Sequence, residues 1–162
     1  MSVTADIVQG WLRPKAVMRQ HLARPVSEPF AFSLLVAFLV LAFVSLWPFM
    51  SRLSLQQPQV PMVQRLVGAG LALLASIPFW YGVAALSHWL AKAFGGRGSF
   101  YRARLALFVA LVVVTPAMLL QGLVAGVIGP GRQLDLIGAG VGVGFLWIWL
   151  SMLVEAERGY AN

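Results

Sequence analysis

Four long stretches without a formal charge constrain this chain more than any other feature. They cover residues 29–51, 66–91, 105–131 and 136–154 of 162, and they run from 19 to 27 residues. The hydrocarbon core of a bilayer is about 30 Å thick, and a helix rising about 1.5 Å per residue crosses it in about 20 residues. Each stretch is therefore long enough to span once, and none comfortably spans twice. The five acidic residues, Asp6, Glu28, Asp135, Glu155 and Glu157, all lie outside the stretches. Lipid enforces that segregation, because an unpaired charge at mid-bilayer costs roughly 2.5–3.5 kcal/mol.

These observations predict an all-α, polytopic transmembrane bundle with four spans, at about 30–50, 66–91, 105–129 and 136–154. A cytoplasmic, basic, amphipathic arm over 1–28 precedes the membrane domain at 29–157, and a short tail follows at 158–162. Composition agrees, since only 10% of residues are charged against about a quarter in soluble domains. Residues 1–28 have no apolar core of the kind a cleavable signal peptide needs, so the first span is expected to remain as an anchor.

The net charge of +7 invites a nucleic-acid reading, but the basic residues flank the apolar stretches and form no single stripe. Membrane orientation and contact with anionic headgroups explain them better. Arg13, Lys15, Arg19 and Arg24 precede the first span, and Lys92, Arg97, Arg102 and Arg104 lie around the turn between the second and third. With four spans these eight share one side with Arg158, while Arg52, Arg65 and Arg132 face the other. The positive-inside rule then places both termini and the central turn in the cytoplasm. The eight residues are candidate headgroup contacts. The preponderance of Arg over Lys, with abundant Ala and Gly, suggests a bacterial source and hence an inner membrane.

In the arm, Ile7, Val8, Trp11 and Leu12 recur at helical spacing, and Val17, Met18, His21 and Leu22 repeat the pattern after Pro14. Lys15, Arg19, Gln20 and Arg24 fall opposite. Such a segment is expected to lie in the headgroup region, with docking into a protein groove as the alternative. Pro14 suits the first turn of a helix, where its missing N–H costs nothing.

Two kinds of residue stand out within the spans. Pro78 and Pro116 each remove a helical hydrogen bond and crowd the carbonyl four residues earlier, at Leu74 and Val112, so both are expected to kink their spans. Ser76 and Thr115 are candidates to satisfy the freed groups. Gly138 with Gly142, Gly140 with Gly144, and Gly122 with Gly126 form small-xxx-small pairs that permit close helix approach. The two pairs in the last span are offset by about 200°, which would let that helix lie between two neighbours. A dinucleotide fingerprint is excluded by the missing strand and the missing downstream acid.

Chemical candidates are few. His88 is the one ionisable residue within a span, and a pair with Glu155 is possible; a neutral interfacial histidine is the simpler account. His21 reads as an interfacial residue, not a ligand. No metal or cofactor site, paired carboxylates or nucleophile–base constellation is discernible, and the chain has no cysteine. The turn Gly95-Gly96-Arg97-Gly98-Ser99 is not a phosphate-binding loop, lacking the required spacing and the preceding strand. Its glycines suit a tight reversal.

Taken together, the helix with Trp11, Pro14 and Met18 ahead of the first span, the turn Gly95–Phe100, and Thr115-Pro116 in the third span resemble the Yip (Ypt-interacting, Yip-one domain) family in its bacterial form. The likeness covers about residues 6–157. It implies a multi-pass membrane protein without enzymatic residues; eukaryotic members bind Rab-type GTPases, and bacterial ones look like scaffold or accessory proteins. Family members usually have five spans, one more than counted here. The expected function is a non-enzymatic scaffold, adaptor or accessory subunit acting through helix–helix contacts, whose partners are membrane lipids and other membrane proteins or further copies of itself. The alternative is a small transporter or channel built on the Pro78 and Pro116 kinks.

Overall fold

The computed structural model describes residues 3–158, with side chains from Ile7 onward. Of the tail expected at 158–162, all but Arg158 lies outside the described residues. Seven helices follow in order among them: α1 (Val3–Leu12), α2 (Pro14–Leu22), α3 (Glu28–Gln56), α4 (Met62–Ala75), α5 (Ile77–Ala93), α6 (Phe100–Val127) and α7 (Arg132–Glu157). The four stretches long and apolar enough to cross a membrane are α3, α4 with α5, α6, and α7. The all-α, four-span architecture is the one the charge-free stretches predict.

The bundle is built around α6. Ala103 and every residue from Leu105 to Thr115 are buried, whatever side of the helix they occupy. A helix apolar all round can be covered by lipid or by protein. Here α3 and α7 supply the two most extensive contacts, and α5, α1 and α2 complete the enclosure. By contrast α4 has no buried residue and leans chiefly on α3.

The glycine pair on α6 explains its close fit to α3. A side chain at Gly122 would run into the Ser45 carbonyl, and one at Gly126 would meet the Pro48 backbone at 2.8 Å. Removing Cβ lets the two backbones touch, which is how helices associate where no hydrophobic effect separates them from lipid. In α7 the glycines diverge. Gly138 abuts the Gln121 amide and Gly144 abuts the Trp11 ring, each with a Cβ position 2.8 Å from its neighbour, while Gly140 and Gly142 face nothing within 4 Å.

The two prolines, expected to kink alike, behave differently. At Pro78 the span divides: α4 ends before Ser76, and Pro78 falls in the first turn of α5. The Ser76 hydroxyl donates to the Leu73 carbonyl at 2.6 Å, and its N–H reaches the Ala72 carbonyl at 3.0 Å. At Pro116, α6 continues unbroken. The Thr115 hydroxyl donates to the Leu111 carbonyl at 3.0 Å and the Trp11 indole N–H donates to the Val113 carbonyl at 3.0 Å. Neither hydroxyl reaches the carbonyl freed by its proline, Leu74 or Val112: Ser76 bonds Leu73 and Thr115 bonds Leu111. The difference lies in the neighbours, since α6 is buried up to Thr115 while α4 has no buried residue.

The arm departs from expectation in part. The apolar face of α2 is covered by protein, whereas Val8 and Leu12 of α1 remain exposed. Val17 and Met18 are fully buried, α2 packs on α7, and α1 packs on α6. Trp11 reaches the middle of both long helices, at Val113 and Gly144. An amphipathic pattern states that one face must be covered; it does not state by what. Lys15, Arg19 and Arg24 stay exposed on the other face.

At the far end of the bundle, Arg52 donates to the Val127 carbonyl at 2.8 Å and the Gly126 carbonyl at 3.3 Å. A cation there satisfies the last carbonyls of α6 and opposes the helix dipole.

Candidate functional site

The end of the bundle that gathers the arm, the α5–α6 turn and the close of α7 holds the chain's buried polar cluster. Local sequence builds the turn in three steps. First, Gly95, with φ of +89°, ends α5: its N–H reaches the Lys92 carbonyl at 3.0 Å and that of Gly96 reaches the Ala91 carbonyl at 2.8 Å. These are the paired bonds of a Schellman motif, which needs a left-handed residue at this point. Second, a Cβ on Gly96 or Gly98 would lie 2.8 or 2.7 Å from the Glu157 carboxylate. Third, the Ser99 hydroxyl accepts the Arg102 N–H at 3.3 Å and starts α6.

The turn thus cradles a carboxyl group, and that group is the chain's own. Gly98 N–H donates to Glu157 Oε2 at 2.9 Å, and Arg97 N–H donates to the Glu157 main-chain carbonyl at 2.8 Å. The other carboxylate oxygen, Oε1, lies 2.7 Å from His88 Nδ1. Both side chains of this pair are 6% exposed. The His88 ring also packs against Phe100, with centroids 4.4 Å apart.

His88 therefore pairs with Glu157 and not with Glu155. Two positions along a helix correspond to about 200° of rotation, so the two glutamates face opposite ways. Glu155, fully buried, takes Arg19 of the arm at 3.3 Å and Arg158 at 3.6 Å. One carboxylate of α7 holds the α5–α6 turn and the other holds α2. His21 is likewise buried, stacked on Phe30 at 5.9 Å.

The candidate headgroup cations separate into two groups. Arg13, Lys15, Lys92 and Arg97 have exposed side chains, and Arg102 is half-buried. Arg19 joins Glu155, Arg24 lies 5.3 Å over the Phe30 ring, and Arg104 pairs with Glu28 while stacking over Tyr81 at 5.2 Å. Tyr101 ties the same corner together, its hydroxyl accepting the Ser27 N–H at 3.2 Å. Neither the Tyr101 contact nor the depth of Trp11 follows from sequence, because both join segments far apart in the chain. No group of three or more metal-ligating side chains occurs among the described residues.

The model of the Yip1 domain matches residues 9–156. The chain belongs to the Yip1 domain family. No curated protein and no solved structure matches it. In this Yip1 domain the three motifs behind the sequence resemblance are sites of contact between elements. Trp11 meets α6 three residues before Pro116, Gly95–Phe100 encloses Glu157 and His88, and Thr115 braces the helix at Pro116. The family match begins within α1, so the arm belongs to the same unit as the spans it packs against.

Proposed function

We propose that this Yip1 domain protein is a non-enzymatic scaffold or accessory subunit of a membrane complex, engaging its partner through α7. One observation carries the reading. Of the glycines expected to serve close helix approach, Gly122, Gly126, Gly138 and Gly144 are already occupied inside the chain, while Gly140 and Gly142 are open. The two lie about 200° apart on α7, and Gly140 shares its face with exposed Val143 and Trp147, a surface suited to a further helix from another membrane protein or a second copy. The chain sits in the cytoplasmic membrane of a bacterium with both termini inside, in keeping with nine cations at the arm-and-turn end against three at the other.

Purification from native membranes in a mild detergent, with crosslinking and mass spectrometry, tests the reading. Gly140→Leu should lower recovery of the co-purifying membrane protein severalfold without changing the amount of folded chain. A protein that elutes alone and conducts ions in liposomes would instead establish the channel alternative. A cavity near Pro78, lined by Ser45, Ser76, Trp80 and Gln121 among apolar side chains, is where such a path would run.

A further inference from the structure

We propose that the cleft between α5 and α7, beside the glycine turn, binds one anionic phospholipid, with its phosphate at Arg97 and Arg158 and an acyl chain running inward along the two helices. The cleft has a volume of about 670 Å³, within the usual range for ligand sites. It exists because α5 and α7 meet over only a short length, at the turn, and part toward the bilayer.

Its chemistry is divided by depth. Leu90, Phe94, Trp149 and Leu153 form apolar walls, and Arg97, Arg158 and the Gly95–Gly96 backbone form one end. Glu157 also lies in the lining, but His88 and Gly98 take its two carboxylate oxygens. Arg97 has an exposed side chain, and Arg158 is 59% exposed while resting 3.6 Å from Glu155. Two guanidinium groups at the membrane boundary, above an apolar slot, match a phosphodiester with a hydrocarbon tail. Guanidinium recognises phosphate oxygens through paired N–H donors. The apolar slot is what favours a lipid over a soluble phosphate.

One further detail fits this occupant. Phe94, at the mouth, is 90% exposed, an outlay of apolar surface that a lipid would cover. This inference does not depend on the scaffold reading, which concerns the face of α7 with Gly140, Val143 and Trp147.

The test uses the full chain in detergent, delipidated and then exposed to dioleoyl phosphatidylglycerol, dioleoyl phosphatidylcholine or inorganic phosphate, with retention read by native mass spectrometry. The expected result is about one phosphatidylglycerol per chain, retained at least tenfold better than phosphatidylcholine. Arg97→Gln and Leu90→Trp, the latter narrowing the slot from an exposed position, should each lower retention about tenfold with unchanged melting temperature. Lys92→Gln, a cation outside the lining, should leave retention unchanged. Equal retention of the two lipids would overturn the proposal, as would full retention by both cleft variants. Raised thermal stability with inorganic phosphate alone, matching that with lipid, would also overturn it, marking a soluble-anion site. Gly140→Leu should not alter lipid retention, so failure here and failure of the scaffold reading are separate results.

Discussion

His88 Nδ1 lies 2.7 Å from Glu157 Oε1, joining the last turns of α5 and α7 through two buried side chains. The second carboxylate oxygen is held by Gly98 N–H, so one group fastens α5, the turn before α6, and α7. Removing either partner leaves buried polar atoms without their bonds, which costs more than the bond itself contributes. Glu157→Ala and His88→Ala should each destabilise the protein by about 1–3 kcal/mol, and the double variant by much less than the sum. Thermal unfolding of all four proteins in one detergent supplies the cycle. Additive losses would mean that the two side chains act independently.

The glycines should separate sharply in their tolerance of a single methyl group. Gly122→Ala puts Cβ against the Ser45 carbonyl, a backbone atom of α3 that cannot turn aside. Overpacking of this kind costs about 1–3 kcal/mol. Gly140→Ala meets open space and gains the better helix former, so stability should hold or rise by a few tenths of a kcal/mol. Melting temperatures of the pair, measured side by side, check the contrast; equal losses at the two sites would contradict the packing described.

What was legible in the sequence follows from how lipid constrains it. Excluding charge from hydrocarbon marks spans directly, and the expected 30–50 and 105–129 fall within α3 and near α6 as found. The break at Pro78 and the continuity at Pro116 were not separable, because the same residue type carries both. What decides is whether neighbours enclose the helix, and that is a property of the assembled bundle. The choice between Glu155 and Glu157 was hidden for a related reason. Both sit in the last turn of α7, and only the rotation of that helix about its axis decides which meets His88. The cradled carboxylate was hidden too: a glycine turn reads the same whether it makes room for a ligand or for another helix of its own chain.

The arm should be releasable by one residue. Trp11 donates to the Val113 carbonyl at 3.0 Å and lies against Gly144. Trp11→Phe retains most of the ring contact and loses a hydrogen bond, at a cost of about 1 kcal/mol. Trp11→Ala removes both, and the arm should then become accessible to trypsin at Lys15 and Arg19 while the spans stay protected. An arm cleaved equally fast in the wild-type protein would show that it does not rest on α6 and α7.

Orientation is open to direct measurement with single cysteines, since the chain has none of its own. Gly98 is a poor position for the label, because its Cβ would meet Glu157 at 2.7 Å and disturb the turn that the experiment is meant to locate. Lys92, exposed at the end of α5, and Gln57, exposed beyond α3, report the two ends without that cost. A membrane-impermeant maleimide applied to intact cells should label Gln57→Cys at least tenfold more than Lys92→Cys, and permeabilisation should bring the two together. The asymmetry of cations requires this result, because moving nine of them across a bilayer is far less favourable than moving three. Label reaching position 92 from outside would invert the bundle. It would also move the buried His88–Glu157 pair and the lipid cleft beside it to the outer leaflet.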